Sequence, residues 1–195
     1  YPTEEKTSII AIEDKDICSR YTGIQIESVN IKESPDWLKK RLISIGERPI
    51  NNIVDITNYV MFEIGQPLHA FDQDKIDGSK IYVRKSKSKE KILTLDGENR
   101  ELPKDSIVIS DKKSPIGLAG IMGGKSSEIT SDTTNVFLEA ANFNSSMIRS
   151  TSKKLGLSTE ASMRFERNLD PKLAIYGLSR AADLIVELAG GKINQ

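Results

Sequence analysis

Residues 48–72 read R-P-I-N-N-I-V-D-I-T-N-Y-V-M-F-E-I-G-Q-P-L-H-A-F-D, and this stretch decides the fold predicted for the chain. Apolar side chains recur in it at steps of three or four residues, which is typical of one face of a helix. They are Ile53, Ile56, Val60 and Ile64. Gly65 predicts the end of the helix, and Pro67 prevents its continuation. An extended arm is therefore expected from Leu68 to Phe71.

The same stretch holds three polar side chains that a helix followed by a strand would bring together. Thr57 and Asn58 lie late on the predicted helix, and His69, the only histidine of the sequence, lies just beyond the turn. A hydroxyl, an amide and an imidazole in one place are sufficient for a site. The alternative is that His69 is a packing residue, while Thr57 and Asn58 bond only to the local backbone.

Length and composition predict a soluble globular protein. The 195 residues are enough for one large domain or for two small lobes that share a core. Hydrophobic residues make up 37% of the sequence and charged residues 29%. No apolar run approaches the roughly 20 residues that span a bilayer, so no membrane contact is expected.

The cysteine content and the N-terminus bear on where the protein works. Cys18 is the only cysteine, which excludes an internal disulfide and predicts a reducing, cytoplasmic location. The first residues contain no apolar signal-peptide segment. They also lack a starting methionine, so residues 1–8 are predicted to be a polar linker within a longer protein.

The charge balance gives no sign of a strongly basic, nucleic-acid-binding surface. The 28 basic and 28 acidic side chains cancel. The densest basic run, R-K-S-K-S-K-E-K, lies at residues 84–91. It is either a solvated hairpin tip or a contact for phosphate. If RNA binds this chain, most of the affinity must come from elsewhere.

Short strands and helices follow one another along the rest of the chain. Runs rich in Ile, Val and Leu predict strands, at residues 9–12, 24–31, 81–84, 92–95, 107–110, 116–118 and 136–140. Capping and stop signals predict further helices, at residues 34–46, 144–155 and 170–190. A hairpin turn is expected at Asp96-Gly97 and a polar loop at residues 158–162. This pattern predicts an α+β fold.

Residues 119–126, A-G-I-M-G-G-K-S, end in Gly-Lys-Ser, as phosphate-binding loops do. The first glycine of that motif would fall on Ala119, however, and no apolar helix follows Ser126. These glycines therefore indicate turns, or places where the backbone approaches a ligand closely.

Glu139 lies within an apolar run, F-L-E-A-A, at residues 137–141. Burying a carboxylate there without a partner would be costly. The sequence leaves two alternatives: Glu139 faces solvent by strand alternation, or it holds a specific hydrogen bond.

Five segments, taken in order, resemble the B3/B4 module of the bacterial phenylalanyl-tRNA synthetase β subunit. They are R-P-I-N-N-I-V-D-I-T-N-Y at 48–59, G-Q-P-L-H-A-F-D at 65–72, L-A-G-I-M-G-G at 118–124, V-F-L-E-A-A-N-F at 136–143 and S-T-E-A-S-M-R-F-E-R at 158–167. The strings are long and specific, and they span about residues 48–171. The resemblance implies a single domain over residues 1–195, with two intertwined lobes, mixed or antiparallel sheets and flanking helices.

The resemblance also implies an editing site between the lobes, which hydrolyses the ester of tRNA(Phe) mischarged with tyrosine. Glu139 falls at the position that accepts the phenolic hydroxyl. Gly120 and Ala161 fall at the pocket wall, where the absence of bulk leaves room for a ring. Three polar residues fall at the catalytic positions that handle the ester: Thr57, Asn58 and His69.

His69 has two candidate roles in such a site. It could act as a general base near neutral pH, or it could orient the terminal ribose or the attacking water. No carboxylate near it in sequence would raise its basicity, which favours the orienting role. With one histidine, one cysteine and no clustered carboxylates, no metal or other cofactor is expected in this chain.

The resemblance places ATP and magnesium binding, and most tRNA contacts, outside this chain. The implied partners are mischarged Tyr-tRNA(Phe), the synthetase α subunit and the rest of the β subunit, in an α2β2 enzyme. Two alternatives stay open: a non-catalytic structural or tRNA-contact module, and a free-standing hydrolase that acts in trans. Asn168 stands where the family usually has glycine, at the turn into the last helix.

Overall fold

The computed structural model describes residues 9–194, so the predicted linker over residues 1–8 lies outside the described residues. The helices are α1 (Asp36–Ser44), α2 (Asn52–Ile64), α3 (Ser145–Leu155), α4 (Glu160–Phe165) and α5 (Leu173–Ala189). The strands are β1 (Ile10–Ile12), β2 (Cys18–Glu27), β3 (Leu68–Asp72), β4 (Ile81–Lys85), β5 (Lys91–Leu93), β6 (Asn99–Glu101), β7 (Ile107–Ser110), β8 (Pro115–Leu118), β9 (Met122–Gly123), β10 (Val136–Phe143) and β11 (Lys192–Asn194).

The strands form three sheets. The largest has the order β1-β4-β7-β8-β9, the second has the order β11-β2-β10-β3, and β5 pairs with β6 as a hairpin. Only β1 and β4 pair in parallel among the described strands; the other pairs are antiparallel. The predicted α+β fold with mixed and antiparallel sheets and flanking helices is confirmed.

β10 is the strand on which both halves of the molecule are built. All eight of its residues are buried. Residues of one of its faces pack with α2 and α5 in one hydrophobic cluster, and those of the other face pack with β4, β7 and β8 in a second. A strand buried on both faces reads as a nearly continuous apolar run, which is what residues 136–143 show.

The helix and arm predicted from residues 48–72 are both present. The Asn51 side chain caps α2, because its oxygen accepts hydrogen bonds from the backbone N–H groups of Ile53 and Val54. Gly65 ends the helix in the left-handed conformation, at φ +90°. β3 follows after Pro67 and pairs with β10.

Several predicted boundaries differ from those of the structure: the strand predicted at residues 24–31 is β2, Cys18–Glu27, and two others precede the last helix. The segment expected to be a polar loop, residues 158–162, contains the start of α4, where Thr159 and Ser162 form a reciprocal capping box. α5 begins at Leu173 rather than at Asp170. Asn168 has φ +62°, a conformation that asparagine tolerates better than most residues.

No helix within residues 9–194 is long and apolar enough to cross a membrane.

Because β10 belongs to both clusters, we propose that the two lobes unfold as one unit. Leu138→Ala removes a fully buried side chain from the cluster formed with α2 and α5, which should lower the free energy of unfolding by about 2–5 kcal/mol. The protection of backbone amides against hydrogen exchange should then fall equally in α2 and in β7, on the opposite side of the sheet. Val108→Ala, in the other cluster, is the reciprocal control. Exchange that accelerates only on the substituted side would show independent lobes.

Candidate functional site

A cavity of about 460 Å³ lies between the four-stranded and the five-stranded sheets. Its walls come from α2, β3, β7, β8, β9, β10 and α4. All six residues predicted to form the site line it: Thr57, Asn58, His69, Gly120, Glu139 and Ala161. A volume of this size is within the range of small-molecule sites.

The pairing of β10 with its two neighbours fixes the floor of the cavity. His69 on β3 lies directly opposite Glu139, and Gly23 on β2 lies opposite it on the other side. Side chains that face each other across antiparallel strands project to the same side of the sheet. The imidazole and the carboxyl are therefore neighbours, although His69 and Glu139 lie 70 residues apart in the sequence.

Glu139 is buried and holds a specific hydrogen bond, which excludes the solvent-facing alternative. The Tyr21 hydroxyl donates to Glu139 Oε2 over 2.6 Å. Oε1 accepts no hydrogen bond from residues 9–194. Burial raises the pKa of Glu139 from 4.5 to about 8, although the hydrogen bond from Tyr21 opposes the increase. The Glu139 carboxyl is therefore mostly protonated at pH 7.

Tyr21 is the site residue that the sequence analysis missed. It lies on β2, two residues before Gly23, and is 118 residues from Glu139 in the chain. No local motif marks it, and its alternation with Gly23 predicts only that both share a face of the strand.

His69 is half-buried at the cavity floor and packs edge-on against Phe71, with ring centroids 4.4 Å apart. Gly123 lies against the ring: a Cβ atom at this position would be 2.4 Å from His69 Cε1. Burial lowers the pKa of His69 to about 4. The imidazole is therefore neutral at pH 7, and its two nitrogens offer one hydrogen-bond donor and one acceptor.

Thr57 and Asn58 differ in how their side chains are used. The Thr57 hydroxyl donates to the Val54 carbonyl over 2.7 Å, which is the local backbone bond considered in the sequence analysis. Its proton is therefore engaged, and toward the cavity the oxygen can only accept. The Asn58 amide makes no side-chain hydrogen bond within residues 9–194, so it is available to donate and accept.

The two predicted wall residues, Gly120 and Ala161, play different parts. Ala161 lies on α4, half-buried, and contributes a small side chain to the wall. Gly120 has φ +65°, and a Cβ atom there would lie 2.9 Å from Phe165 Cδ2 and 3.1 Å from Ile148 Cδ1. A side chain at position 120 would thus collide with packed core. The expectation that Gly120 serves by leaving room for a ring is not what this geometry favours, because the space it spares is occupied by those core side chains.

The basic run at residues 84–91 combines a buried ion pair with an exposed turn. Arg84 is buried and pairs with Glu90, with Nη2 and Oε1 2.7 Å apart. Lys87 and Lys89 are exposed. Within residues 9–194, no group of three or more His, Cys, Asp or Glu side chains is placed to hold a metal ion.

Comparison with known protein families identifies the domain. The model of the B3/4 domain family matches residues 17–190. The chain belongs to the B3/4 domain family.

Similar proteins identify the branch of this family to which the chain belongs. The chain is 50% identical over 192 residues to the phenylalanine–tRNA ligase β subunit of Geobacter metallireducens, and 52% identical over 194 residues to that of Aquifex aeolicus. Each alignment covers 98% of this chain, but the chain spans only about a quarter of the relatives, 24% and 25% of their lengths. It is a B3/4 domain of the phenylalanyl-tRNA synthetase β-subunit type.

A solved structure supports the fold. The N-terminal fragment of the phenylalanyl-tRNA synthetase β subunit from Pyrococcus horikoshii superposes with a TM-score of 0.63 over 98% of this chain and 52% of that fragment. The identity is 16%, so this likeness concerns the fold alone.

The buried carboxyl predicts a pH dependence of stability. Between pH 4.5 and pH 8 the folded state keeps the Glu139 proton that the unfolded state releases, so stability is lost as the pH rises through this window. Glu139→Gln removes this titration. The free energy of unfolding of Glu139→Gln, relative to that of the wild type, should rise from about pH 4.5 to pH 8 by at most a few kcal/mol and then level off.

Melting temperatures of both proteins from pH 4 to pH 9 provide the measurement, at about 2–4 °C per kcal/mol. His69, with a pKa of about 4 instead of 6.5, contributes in the opposite sense. The stability that its neutral form gives the folded protein is lost as the pH falls from 6.5 to 4. It titrates in both proteins and cancels in the difference. Parallel curves would contradict the burial assigned to Glu139.

Proposed function

We propose that this chain is the editing domain of a phenylalanyl-tRNA synthetase β subunit and hydrolyses the ester of tRNA(Phe) mischarged with tyrosine. The observation that carries the proposal is the buried Glu139 carboxyl on the cavity floor, with Oε1 accepting no hydrogen bond from residues 9–194. A largely apolar cavity with a few convergent polar groups suits an aromatic ring that carries a hydroxyl.

The chemistry of the two amino acids explains why a second site is needed. Tyrosine differs from phenylalanine by one hydroxyl, and an apolar pocket rejects an added hydroxyl only by about a hundredfold. A site built to hydrogen-bond that hydroxyl can discriminate by roughly 10⁴ against the analogue that lacks it. Glu139 supports this function in either protonation state, because a phenol both donates and accepts.

The polar side chains that α2 and β3 contribute to the cavity would handle the ester. Hydrolysis needs a positioned water and a donor near the developing oxyanion. The Asn58 amide is the available donor, while the Thr57 oxygen can accept from the water or from a ribose hydroxyl. His69 is neutral, and its low pKa makes it a weak general base. We therefore assign His69 to orienting the water or the ribose.

The domain would act as one part of a larger enzyme. We propose tRNA, the rest of the β subunit and the α subunit as its partners, in a cytoplasmic α2β2 synthetase. ATP and magnesium would be bound by the ligase site outside this chain, and the editing step would use no cofactor held by it.

Glu139→Ala tests the proposal in the assembled synthetase. Removing the carboxyl should lower the rate of Tyr-tRNA(Phe) hydrolysis by about ten- to a hundredfold, because leaving the phenolic hydroxyl unpaired in the cavity costs about 1–3 kcal/mol. Hydrolysis of Phe-tRNA(Phe) should stay level or rise, because phenylalanine no longer strands an unpaired carboxyl. The ratio of the two deacylation rates is the measurement.

Three outcomes would count against it. An unchanged ratio would show that Glu139 does not recognise the hydroxyl. An equal fall of both rates with a lower melting temperature would make Glu139 a structural residue. A wild-type enzyme that hydrolyses neither ester would make the domain a non-catalytic module.

Ala161→Trp should close the cavity from α4. Tyr-tRNA(Phe) deacylation by the synthetase should be lost, while phenylalanine charging continues because the ligase site lies elsewhere. Ala161→Ser, which adds little volume, is the matched control and should retain deacylation. Deacylation that survives Ala161→Trp at wild-type rate would remove Ala161 from the wall.

Gly120→Ala should act on stability instead of on the cavity volume. The left-handed backbone and the contact with Phe165 predict a loss of about 1–3 kcal/mol in the free energy of unfolding. Chemical denaturation measures this loss. If stability is unchanged and only deacylation falls, Gly120 does serve as a wall.

A further inference from the structure

The Tyr21–Glu139 contact ties the carboxyl on the cavity floor to β2. Both residues are buried, and the hydrogen bond of 2.6 Å joins strands that are far apart in the chain. It is also the only hydrogen bond that Glu139 makes through its side chain within residues 9–194.

The register of β2 and β10 sets this contact. Glu139 pairs with Gly23, while Tyr21 pairs with Ala141, so Tyr21 and Glu139 are diagonal neighbours on one face. Diagonal neighbours across antiparallel strands lie within reach of a long aromatic side chain. Because Gly23 and Ala141 are small, the tyrosine can reach across to the carboxyl.

A neighbouring ring limits where the carboxyl can go. The Phe137 ring covers Gly23 so closely that a Cβ atom there would be 2.1 Å from Phe137 Cζ. Phe143 stands edge-on beside Tyr21, with ring centroids 6.4 Å apart. The two rings limit the directions from which the Tyr21 hydroxyl can approach. It engages Oε2, while Oε1 accepts no hydrogen bond from residues 9–194.

We propose that Tyr21 is a specificity-positioning residue: its hydroxyl holds Glu139 Oε2, so that Oε1 is presented to the phenolic hydroxyl of a tyrosyl ester. The assignment rests on the proposed editing function. The hydrogen bond fixes the Glu139 side chain before the ligand binds, so binding costs less conformational entropy. Pre-organisation of this kind strengthens binding of the hydroxyl and leaves a phenylalanyl ester unaffected.

Tyr21→Phe in the assembled synthetase is the direct test, since it keeps the ring and deletes only the hydroxyl. The kcat/KM for Tyr-tRNA(Phe) deacylation should fall about tenfold, and that for Phe-tRNA(Phe) should stay level. The loss should appear in KM, because the phenolic end is bound alike in the ground state and in the transition state. Tyr176→Phe, at a side chain that is 63% exposed on α5, is the matched control and should change neither rate.

A double-mutant cycle separates positioning from general support of the fold. Tyr21→Phe introduced into Glu139→Ala should have no further effect on the ratio of the two rates, because the group it positions is gone. Equal losses for both esters, or an unchanged ratio beside a lower melting temperature, would make Tyr21 a purely structural residue and overturn the assignment.

A binding measurement keeps the assignment testable if the editing function fails. The probes are two non-hydrolysable amides, 3′-tyrosylamino-3′-deoxyadenosine and its phenylalanyl counterpart, titrated calorimetrically against the synthetase. Tyr21→Phe should weaken the tyrosyl probe about tenfold relative to the phenylalanyl probe. A wild-type enzyme that binds both probes but hydrolyses neither ester would refute the proposed function alone. Equal affinities of the wild type and Tyr21→Phe for the tyrosyl probe would refute the positioning role.

Discussion

The burial of β10 on both faces is the constraint on which the rest of the structure depends. Eight consecutive buried residues require a partner strand on each edge and a hydrophobic layer on each face. β2 and β3 supply the edges, while the helices and the five-stranded sheet supply the layers. Glu139 sits in the middle of this strand, so its carboxyl is held out of water by the same packing that joins the lobes. The candidate site is therefore inseparable from the core.

Close backbone approach gives the cavity its shape. Gly123 allows the His69 ring to lie against the backbone, and Gly23 allows the Phe137 ring to lie over β2. A Cβ atom at Gly120 would likewise meet core side chains. In each case the missing Cβ serves a neighbouring side chain. Substitution at these glycines would therefore disturb the site through the packing around it.

Desolvation keeps the cavity floor uncharged near pH 7. It raises the pKa of Glu139 to about 8 and lowers that of His69 to about 4, so the two neighbours are a carboxylic acid and a neutral imidazole instead of an ion pair. The hydrogen bond from Tyr21 works against this shift by favouring the carboxylate. Neutral groups suit the proposed substrate, because a phenol and an ester are themselves uncharged.

The sequence by itself determined α2, its stop, the β3 arm and the family, because these depend on signals a few residues long or on long specific strings. It also led to six residues that the structure places among those lining the cavity. Only the tertiary structure decided that Glu139 is buried, that Tyr21 is its partner and that Gly120 faces the core. It likewise decided where α4 begins. The physical reason is range: propensity, capping and turn signals act between neighbours in the chain. The partner of a buried carboxyl is instead set by the register of strands that lie 118 residues apart.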